Sequence, residues 1–196
     1  FSLSILLAYN NKNIIYKIFY HSVENLSHNF EYQFTKFEIN GLKRVEHSFI
    51  KQNLEKYIDS SIFLLPLETI NNNLYENNWI KNIKLRTNYK DTLFIDLEEY
   101  VPIGLYKFNG KLFYFDKKGK IIEQYKYNDN IKKFITFSGP YSNLKAKIII
   151  EILDGLKFKN KFTIKNIEYL ENRRWNIYLD KNIKLMLSES TPKKSL

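Results

Sequence analysis

Tyr32-Gln33-Phe34-Thr35-Lys36-Phe37-Glu38-Ile39-Asn40-Gly41 gives the first clear indication of the fold. Apolar and polar residues alternate along it until the Asn-Gly pair, which is typical of a β-strand that ends in a turn. Between residues 45 and 58, apolar side chains recur at spacings of three to five, and this period predicts an amphipathic helix. Pro66 then suits the first turn of a second helix, because that position needs no backbone N–H.

Two more strands complete this first unit. They are separated by a turn at residues 88–91, and their apolar positions are Ile80, Ile83, Leu85, Leu93, Ile95 and Leu97. We expect Pro102 to close the unit. The order strand, helix, helix, strand, strand over residues 34–102 predicts a small α+β layer sandwich.

Three residues of this unit have predicted structural roles. We expect Trp79 to seal the second helix against the sheet, and Arg86 to cross the sheet surface toward a carboxylate such as Glu98 or Glu99. Gly41 supplies a turn conformation that a side chain would strain. For all three, a place in the core or in a turn is favoured over contact with a ligand.

The remaining residues, 103–196, predict a β-rich meander with one helix. Asn109-Gly110 is a type I′ hairpin signal, and Asp116-Lys117-Lys118-Gly119 is a turn with glycine at its left-handed position. An apolar helical period follows Ser138-Gly139-Pro140 and ends near Gly155. The predicted strands cover residues 105–108, 111–115, 120–125, 131–137, 162–170, 174–179 and 183–187.

The formal net charge of the 196-residue chain is +10, which raises the possibility of nucleic-acid binding. Most of this charge is lysine, whereas arginine is the usual residue for bidentate contacts to phosphate and guanine. Lysines that are scattered along a chain more often form a solvated face than a binding stripe. Compositional drift toward Lys, Asn, Ile, Tyr and Phe therefore explains the charge better, and a basic nucleic-acid-binding module is the less favoured alternative.

No catalytic or cofactor motif is present in the sequence. The absence of cysteine excludes disulfides, thiolate zinc sites and cysteine nucleophiles. The three histidines lie far from any metal-ligand spacing, and two S-x-x-K matches, at Ser48 and Ser142, lack their partner motifs. Glu98 and Glu99 are neighbours in a strand and face opposite sides of it. We predict that the protein is not an enzyme and takes no cofactor, metal or small-molecule substrate.

The first thirty residues differ in character from the rest. Residues 1–9 are uncharged and almost wholly apolar, but a membrane span needs about 20 such residues, so length alone favours a short buried strand or helix. In residues 10–33 the apolar side chains favour one helical face. This segment is predicted to be an amphipathic connector, either near a membrane surface or packed on the domain that follows.

Several motifs, taken in their order, resemble the FtsQ/DivIB family of bacterial cell-division proteins. Two runs look like the opening of a POTRA domain, three more resemble the family's central signature, and two lie in the second half. These runs are residues 37–45, 61–67, 78–86, 92–97, 99–106, 116–122 and 175–185. Asn78 and Tyr100 stand where the family has proline and arginine, and Asn182 stands where it has glycine.

The resemblance implies a domain organisation. Residues 34–102 would be a POTRA domain, and residues 103–196 an FtsQ-type β domain that lacks its C-terminal end. Residues 10–33 would be the membrane-proximal connector. Residues 1–9 would be the end of a truncated transmembrane helix, an interpretation that the resemblance favours over a buried strand.

The resemblance also implies a function. Family members are non-enzymatic scaffolds of the divisome, anchored by one span in the inner membrane with the main domain in the periplasm at the division septum. Their partners are FtsB, FtsL, FtsK and septal peptidoglycan synthesis proteins. The alternative is a POTRA-containing component of outer-membrane protein assembly or translocation, which would carry tandem POTRA repeats.

Partner-binding residues are not assigned by the resemblance. In the family the FtsB contact lies chiefly on a final strand and helix, which we expect to follow residue 196. The candidate docking edge within the chain is Ile183, Leu185 and Leu187, where an open strand could pair with a partner segment. The predicted structural residues are Gly41, Trp79, Arg86, Pro102, Gly110, Gly119 and Trp175.

Overall fold

The structure, a computed structural model, describes residues 12–126, 134–155, 162–171, 173–190 and 192. The chain divides into two compact units between Glu99 and Tyr100. Both units contain helices and strands, so the predicted α+β class is confirmed. The predicted remnant of a membrane span at residues 1–9 lies outside the described residues. Within the described ranges, no helix is long and apolar enough to cross a membrane.

The first unit has the predicted order of elements. After an N-terminal helix come strand, helix, helix, strand and strand, with a 3₁₀ turn after the second helix. Their bounds are α1 Lys12–Asn29, β1 Lys36–Asn40, α2 His47–Leu54, the turn Glu55–Tyr57, α3 Leu67–Leu74, β2 Ile80–Thr87 and β3 Thr92–Glu99. The sheet order is β1-β3-β2, in which β3 is parallel to β1 and antiparallel to β2.

The core of the first unit lies between the helices and one face of this sheet. Helices α2 and α3 each bury two apolar residues, spaced so that they share one side of the helix. On β3, every second residue from Leu93 to Glu99 is buried, as expected for a strand with one covered face. The buried side chains are Ile50, Leu54, Ile70, Leu74, Leu93, Ile95 and Leu97.

Strand β1 begins at Lys36, later than the alternating sequence predicts. The preceding residues bond to the segment that follows α2. Phe34 donates its N–H to Ser60 O at 2.8 Å and accepts the N–H of Asp59 at 2.9 Å, with its side chain fully buried. The period of two therefore predicts an extended segment correctly. Only residues 36–40 of that segment pair with the sheet, whereas Phe34 pairs with a loop.

The buried carboxylate of Glu99 holds the loop between β1 and α2. Glu99, the last residue of β3, is 7% exposed. Its two carboxylate oxygens accept the backbone N–H groups of Lys43 at 2.7 Å, Arg44 at 2.9 Å and Val45 at 3.2 Å. Hydrogen bonds to an ionised acceptor are stronger than neutral ones, so this contact fixes the entry to α2. No local pattern in the sequence predicts this role for Glu99.

Gly41 lies at the start of the same loop. Its φ of +91° is in the left-handed region, and a Cβ there would lie 2.0 Å from the carbonyl oxygen of Leu97. Both the conformation and the approach to the β3 backbone require glycine. Trp79 is 6% exposed, and the guanidinium carbon of Arg44 lies 4.5 Å from the centre of its ring.

Arg86 does cross the sheet surface to a carboxylate, but its partner is Asp96 rather than Glu98 or Glu99. Arg86 Nη2 donates to Asp96 Oδ2 at 2.6 Å. Arg86 pairs in register with Phe94, so Asp96 is its diagonal neighbour on the same face of the sheet. Glu98 pairs instead with Lys81, and Glu99 faces the core.

The turn between β2 and β3 forms where the sequence predicts it. Asn88 Oδ1 accepts the backbone N–H groups of Lys90, Asp91 and Thr92, each at 2.9 Å. The pKa of Asp91 is lowered to about 2, chiefly because the Thr92 hydroxyl and then the Asn88 amide donate to its carboxylate, with a smaller effect of Lys36.

The second unit is one seven-stranded sheet with a helix. Its elements are β4 Pro102–Phe108, β5 Lys111–Asp116, β6 Ile121–Gln124, β7 Thr136–Ser138, α4 Ser142–Gly155, β8 Ile164–Leu170, β9 Arg174–Leu179 and β10 Lys184–Ser188. The core forms where residues of α4 meet one face of the sheet, and it includes Phe115, Phe137, Ala146, Ile149, Ile167 and Trp175. The ring of Trp175 lies 4.5 Å from that of Tyr169.

The sheet order, β10-β9-β8-β7-β4-β5-β6, differs from a simple meander. Strand β7 is parallel to both β4 and β8, and it joins two antiparallel groups. Part of the strand predicted at residues 131–137 lies outside the described residues, and β7 itself covers Thr136–Ser138.

The turn residues predicted for the second unit lie at its chain reversals. Gly110 is in the β4–β5 hairpin, where it and Asn109 both have positive φ, as a type I′ turn requires. Gly119 donates its N–H to Asp116 O between β5 and β6. Pro102 is the first residue of β4 rather than the end of the first unit, since proline is tolerated where a strand begins.

Replacing Trp79 with alanine should lower the free energy of unfolding by about 3 kcal/mol, because the substitution leaves a cavity the size of a buried indole. Urea unfolding measures the change. Phe108→Ala is the control, because this aromatic side chain is more than half exposed. Equal midpoints for the two variants would contradict the structural role of Trp79.

Replacing Glu99 with glutamine should destabilise the protein by about 2 kcal/mol, because the amide keeps the shape but loses the charge and one acceptor oxygen. Glu98→Gln is the matched control: its carboxylate pairs with Lys81 at the surface, and it should cost less than about 0.5 kcal/mol. Thermal unfolding of the two variants under identical conditions decides between them. A control as unstable as Glu99→Gln would show that the loop does not depend on Glu99.

Replacing Asn88 with alanine should raise the pKa of Asp91 toward the ordinary aspartate value of about 3.9. A depressed pKa means that the turn contributes stability above that ordinary value and loses it as the pH falls through about 2. Carboxyl-carbon NMR titration measures the pKa directly. Asn40→Ala is the control: the Asn40 amide donates to Asp96 and lowers the pKa of that carboxyl, so its removal should raise the pKa of Asp96 and leave that of Asp91 unchanged. An unchanged Asp91 titration in Asn88→Ala would contradict the assigned cause.

Candidate docking edge

Strand β10 is an edge of the seven-stranded sheet. It pairs antiparallel with β9, in a register that places Lys184 opposite Tyr178 and Ser188 opposite Arg174. In the part of the chain that the structure describes, no strand pairs with its other side. An edge of this kind can add a strand from a partner through backbone hydrogen bonds.

The hydrogen bonds at both ends of this pair show which residues point outward. Leu179 donates its N–H to Ile183 O at 2.9 Å, and Glu189 donates to Arg173 O at 3.2 Å. Hydrogen-bonded and non-hydrogen-bonded pairs alternate in antiparallel strands, so residues 185 and 187 also bond to β9. The backbone groups of Lys184 and Met186 therefore point away from β9, toward the open side.

The side chains of β10 divide in the same alternating way. Leu187 is 1% exposed and Leu185 packs against the same core, whereas Met186 is 57% exposed. Ile183 lies just before the strand. The candidate residues Ile183, Leu185 and Leu187 thus mark the strand, but its outward backbone and its exposed apolar side chain belong to Lys184 and Met186.

Apolar alternation in the sequence does not identify Lys184 and Met186. Alternation identifies the face of a strand that enters the core, and that face carries Leu185 and Leu187. The outward residues are the intervening ones. The register between β9 and β10 identifies Lys184 and Met186 as the outward residues. That register is set by the pairing of the two strands and cannot be read from either strand alone.

The face of the sheet that carries Met186 has a polar cluster on β8 and β9. Glu168 accepts hydrogen bonds from Asn176 Nδ2 at 2.8 Å and from Tyr178 Oη at 2.7 Å. These two donors are the main reason that the pKa of Glu168 is lowered. The ammonium of Lys184 lies 5.1 Å from the centre of the Tyr178 ring. The cluster joins β8 to β9, and Lys184 places a cation at the edge strand beside it.

The described residues contain no group of three or more His, Cys, Asp or Glu side chains that could hold a metal ion. Of the two S-x-x-K serines, Ser142 is fully buried, and Ser48 donates to Glu46 at 3.0 Å. Glu98 and Glu99 lie on opposite faces of β3, one exposed and one buried.

Family comparisons match both units. The model for the POTRA domain, FtsQ-type, covers residues 33–100, and the model for the cell division protein FtsQ/DivIB, C-terminal, covers residues 104–196.

Several curated proteins are similar to the chain. Cell division protein FtsQ of Rickettsia felis is 33% identical over 155 residues, which are 77% of this chain and 55% of that protein. FtsQ of Rickettsia conorii is 31% identical over the same shares. FtsQ of Novosphingobium aromaticivorans is 24% identical over 140 residues, 71% of this chain and 43% of that protein. The chain thus spans about half the length of the curated relatives it matches.

Among solved structures, the major extracytoplasmic domain of the trans isomer of DivIB from Geobacillus stearothermophilus matches with a TM-score of 0.36 and 13% identity, covering 50% of this chain and 86% of that one. Because this TM-score is low, the family assignment rests on the sequence comparisons. Because one family's two models match in sequence order over residues 33–100 and 104–196, the chain belongs to the FtsQ/DivIB family of bacterial cell-division proteins.

Proposed function

We propose that the chain is the main part of a non-enzymatic divisome scaffold. It recruits and links FtsB, FtsL and septal peptidoglycan synthesis proteins at the division site, with FtsK as a further partner. Family membership supports the divisome role, and the relatives that match are named cell division protein FtsQ.

The proposed location is the bacterial inner membrane, with one span and the main domain in the periplasm. In this proposal residues 1–9 end the span, residues 10–33 connect it to a POTRA domain at 34–102, and a β domain follows from residue 103. The uncharged apolar sequence of residues 1–9 supports an anchor at this end. The absence of cysteine is compatible with export.

The observation that carries the proposal is the open side of β10. Lys184 and Met186 present backbone donors and acceptors there, and Met186 adds an exposed apolar side chain. A partner strand could pair with these groups, while the exposed methionine adapts to its side chains. The family resemblance implies that FtsB contacts chiefly a final strand and helix, expected after residue 196, and we propose that the open side of β10 belongs to the same docking surface.

The outer-membrane assembly alternative is less well supported. Such a protein would be expected to continue from one POTRA domain to another, whereas residues 104–196 match the FtsQ/DivIB C-terminal model. No observation on the described residues favours nucleic-acid binding over the scaffold.

Replacing Met186 with proline should weaken FtsB binding at least tenfold and leave the fold intact. Proline removes the outward N–H, and an edge strand tolerates it where that N–H faces solvent. Met186→Ala is the matched control: it keeps the backbone donor and should retain most of the affinity. Isothermal calorimetry with the periplasmic segment of FtsB measures the dissociation constants.

A second substitution tests the geometry of the edge. Leu185→Pro should unfold β10, because the N–H of Leu185 bonds to β9 and its side chain packs in the core. Circular dichroism compares the two proline variants. If Met186→Pro is as damaging to the fold as Leu185→Pro, β10 is not an edge in the protein. If Met186→Pro folds and binds FtsB with unchanged affinity, the docking site lies elsewhere.

A further inference from the structure

Helix α1 contacts the rest of the first unit through its C-terminal half. Ser27 Oγ lies 2.6 Å from Ser61 Oγ, and Glu24 Oε2 accepts the backbone N–H of Ser61 at 3.0 Å. Ser27 O accepts the N–H of Tyr32 at 2.8 Å. These contacts fix the direction in which the helix leaves the unit.

The N-terminal half of α1 is exposed although it is apolar. The side chains there are between 54% and 67% exposed, and they are Ile14, Ile15, Tyr16, Ile18 and Phe19. Single exposed apolar residues are ordinary, but contiguous apolar surface of this kind marks a binding site for a protein or a membrane.

Four of these residues form one face of the helix, which we call the α1 apolar face: Ile14, Ile15, Ile18 and Phe19. At 3.6 residues per turn they lie within an arc of about 140°. Glu24 and Ser27, which contact the unit, lie on the other side of the helix axis. The α1 apolar face is therefore directed away from the unit by the contacts that hold the helix.

The charge and aromatic content of this half match a lipid surface. Between residues 12 and 23 the chain carries Lys12 and Lys17 and no acidic residue. Such cations favour anionic headgroups, and their long side chains can keep the charge in water while the apolar stem is buried. The aromatic ring of Phe19 lies on the apolar side, and phenylalanine is common on the buried face of interfacial helices.

The neighbouring sequence points to the same occupant. Residues 1–9, directly before the helix, contain no charged side chain. Helix α1 itself is too polar to cross a membrane. A helix with one apolar face, flanking lysines and low overall hydrophobicity lies in the interface plane instead.

We propose that α1 lies in the headgroup region of the membrane, with the α1 apolar face toward the acyl chains, and so holds the first unit close to the lipid surface. This inference rests on the proposed membrane anchorage of the protein. It gives α1 a role beyond that of a connector, since the Glu24 and Ser27 contacts then set the orientation of the unit against the bilayer.

The absence of cysteine permits a direct test by single-cysteine labelling. Ile15→Cys and Phe19→Cys, labelled with an environment-sensitive fluorophore, are compared with Leu144→Cys on α4, a side chain that is similarly exposed. The full-length protein is reconstituted in phosphatidylcholine–phosphatidylglycerol vesicles that contain lipids with a headgroup nitroxide. The labels at residues 15 and 19 should be quenched at least twofold more than the label at residue 144.

Vesicle flotation, measured on the same samples, separates this inference from the proposed function. Protein that floats without preferential quenching at residues 15 and 19 overturns the interfacial position of α1 and leaves the anchorage standing. Protein that does not float overturns both. The double variant Ile15→Glu/Phe19→Glu should float normally but move a label at Ile18→Cys into water, whereas Leu144→Glu/Ile148→Glu should not. An unshifted label at residue 18 would overturn the proposal.

Discussion

The contact on which the first unit depends most is the acceptance of three backbone N–H groups by the Glu99 carboxylate. β3 lies between β1 and β2, and its last residue turns inward to the loop that leads into α2. A buried carboxylate is costly unless its oxygens are satisfied, and here the loop amides satisfy it. Gly41 is required by the same geometry, since the start of the loop passes directly over the β3 backbone.

The second unit depends on the short strand β7, which joins the two halves of its sheet. Two antiparallel groups of strands meet on β7, only three residues long, and α4 covers the face where they join. Phe137 is the central residue of β7, and its ring contacts Phe115 edge-on. Because the seven described strands form one open sheet, this described sheet has two edges. The edge at β10 is the one supported by the polar cluster around Glu168.

The two proposed binding surfaces, the open side of β10 and the α1 apolar face, are both exposed because the opposite side of the same element is packed or hydrogen-bonded. The open side of β10 is available for pairing because the side chains of Leu185 and Leu187 hold the strand in place from the core. The α1 apolar face is exposed because Glu24 and Ser27, on the other side of the helix, hydrogen-bond to the rest of the first unit. A rigid attachment beside an exposed interacting surface limits the entropy lost on binding, which suits a scaffold.

The two-part α+β organisation, the burial of Trp79 and the turn at residues 88–91 can be predicted from the sequence, because period, aromatic content and turn residues are local signals. The family resemblance is also visible in the sequence, as particular residue types at fixed spacings. Tertiary structure alone decided that Arg86 bonds to Asp96, that Glu99 faces the loop, and that β7 pairs in parallel with strands distant in the chain. It likewise selected Met186 rather than Leu185 as an outward residue of β10. The physical reason is register: strand pairing decides which diagonal neighbours meet and which backbone groups stay outside, and no local pattern encodes the partner strand.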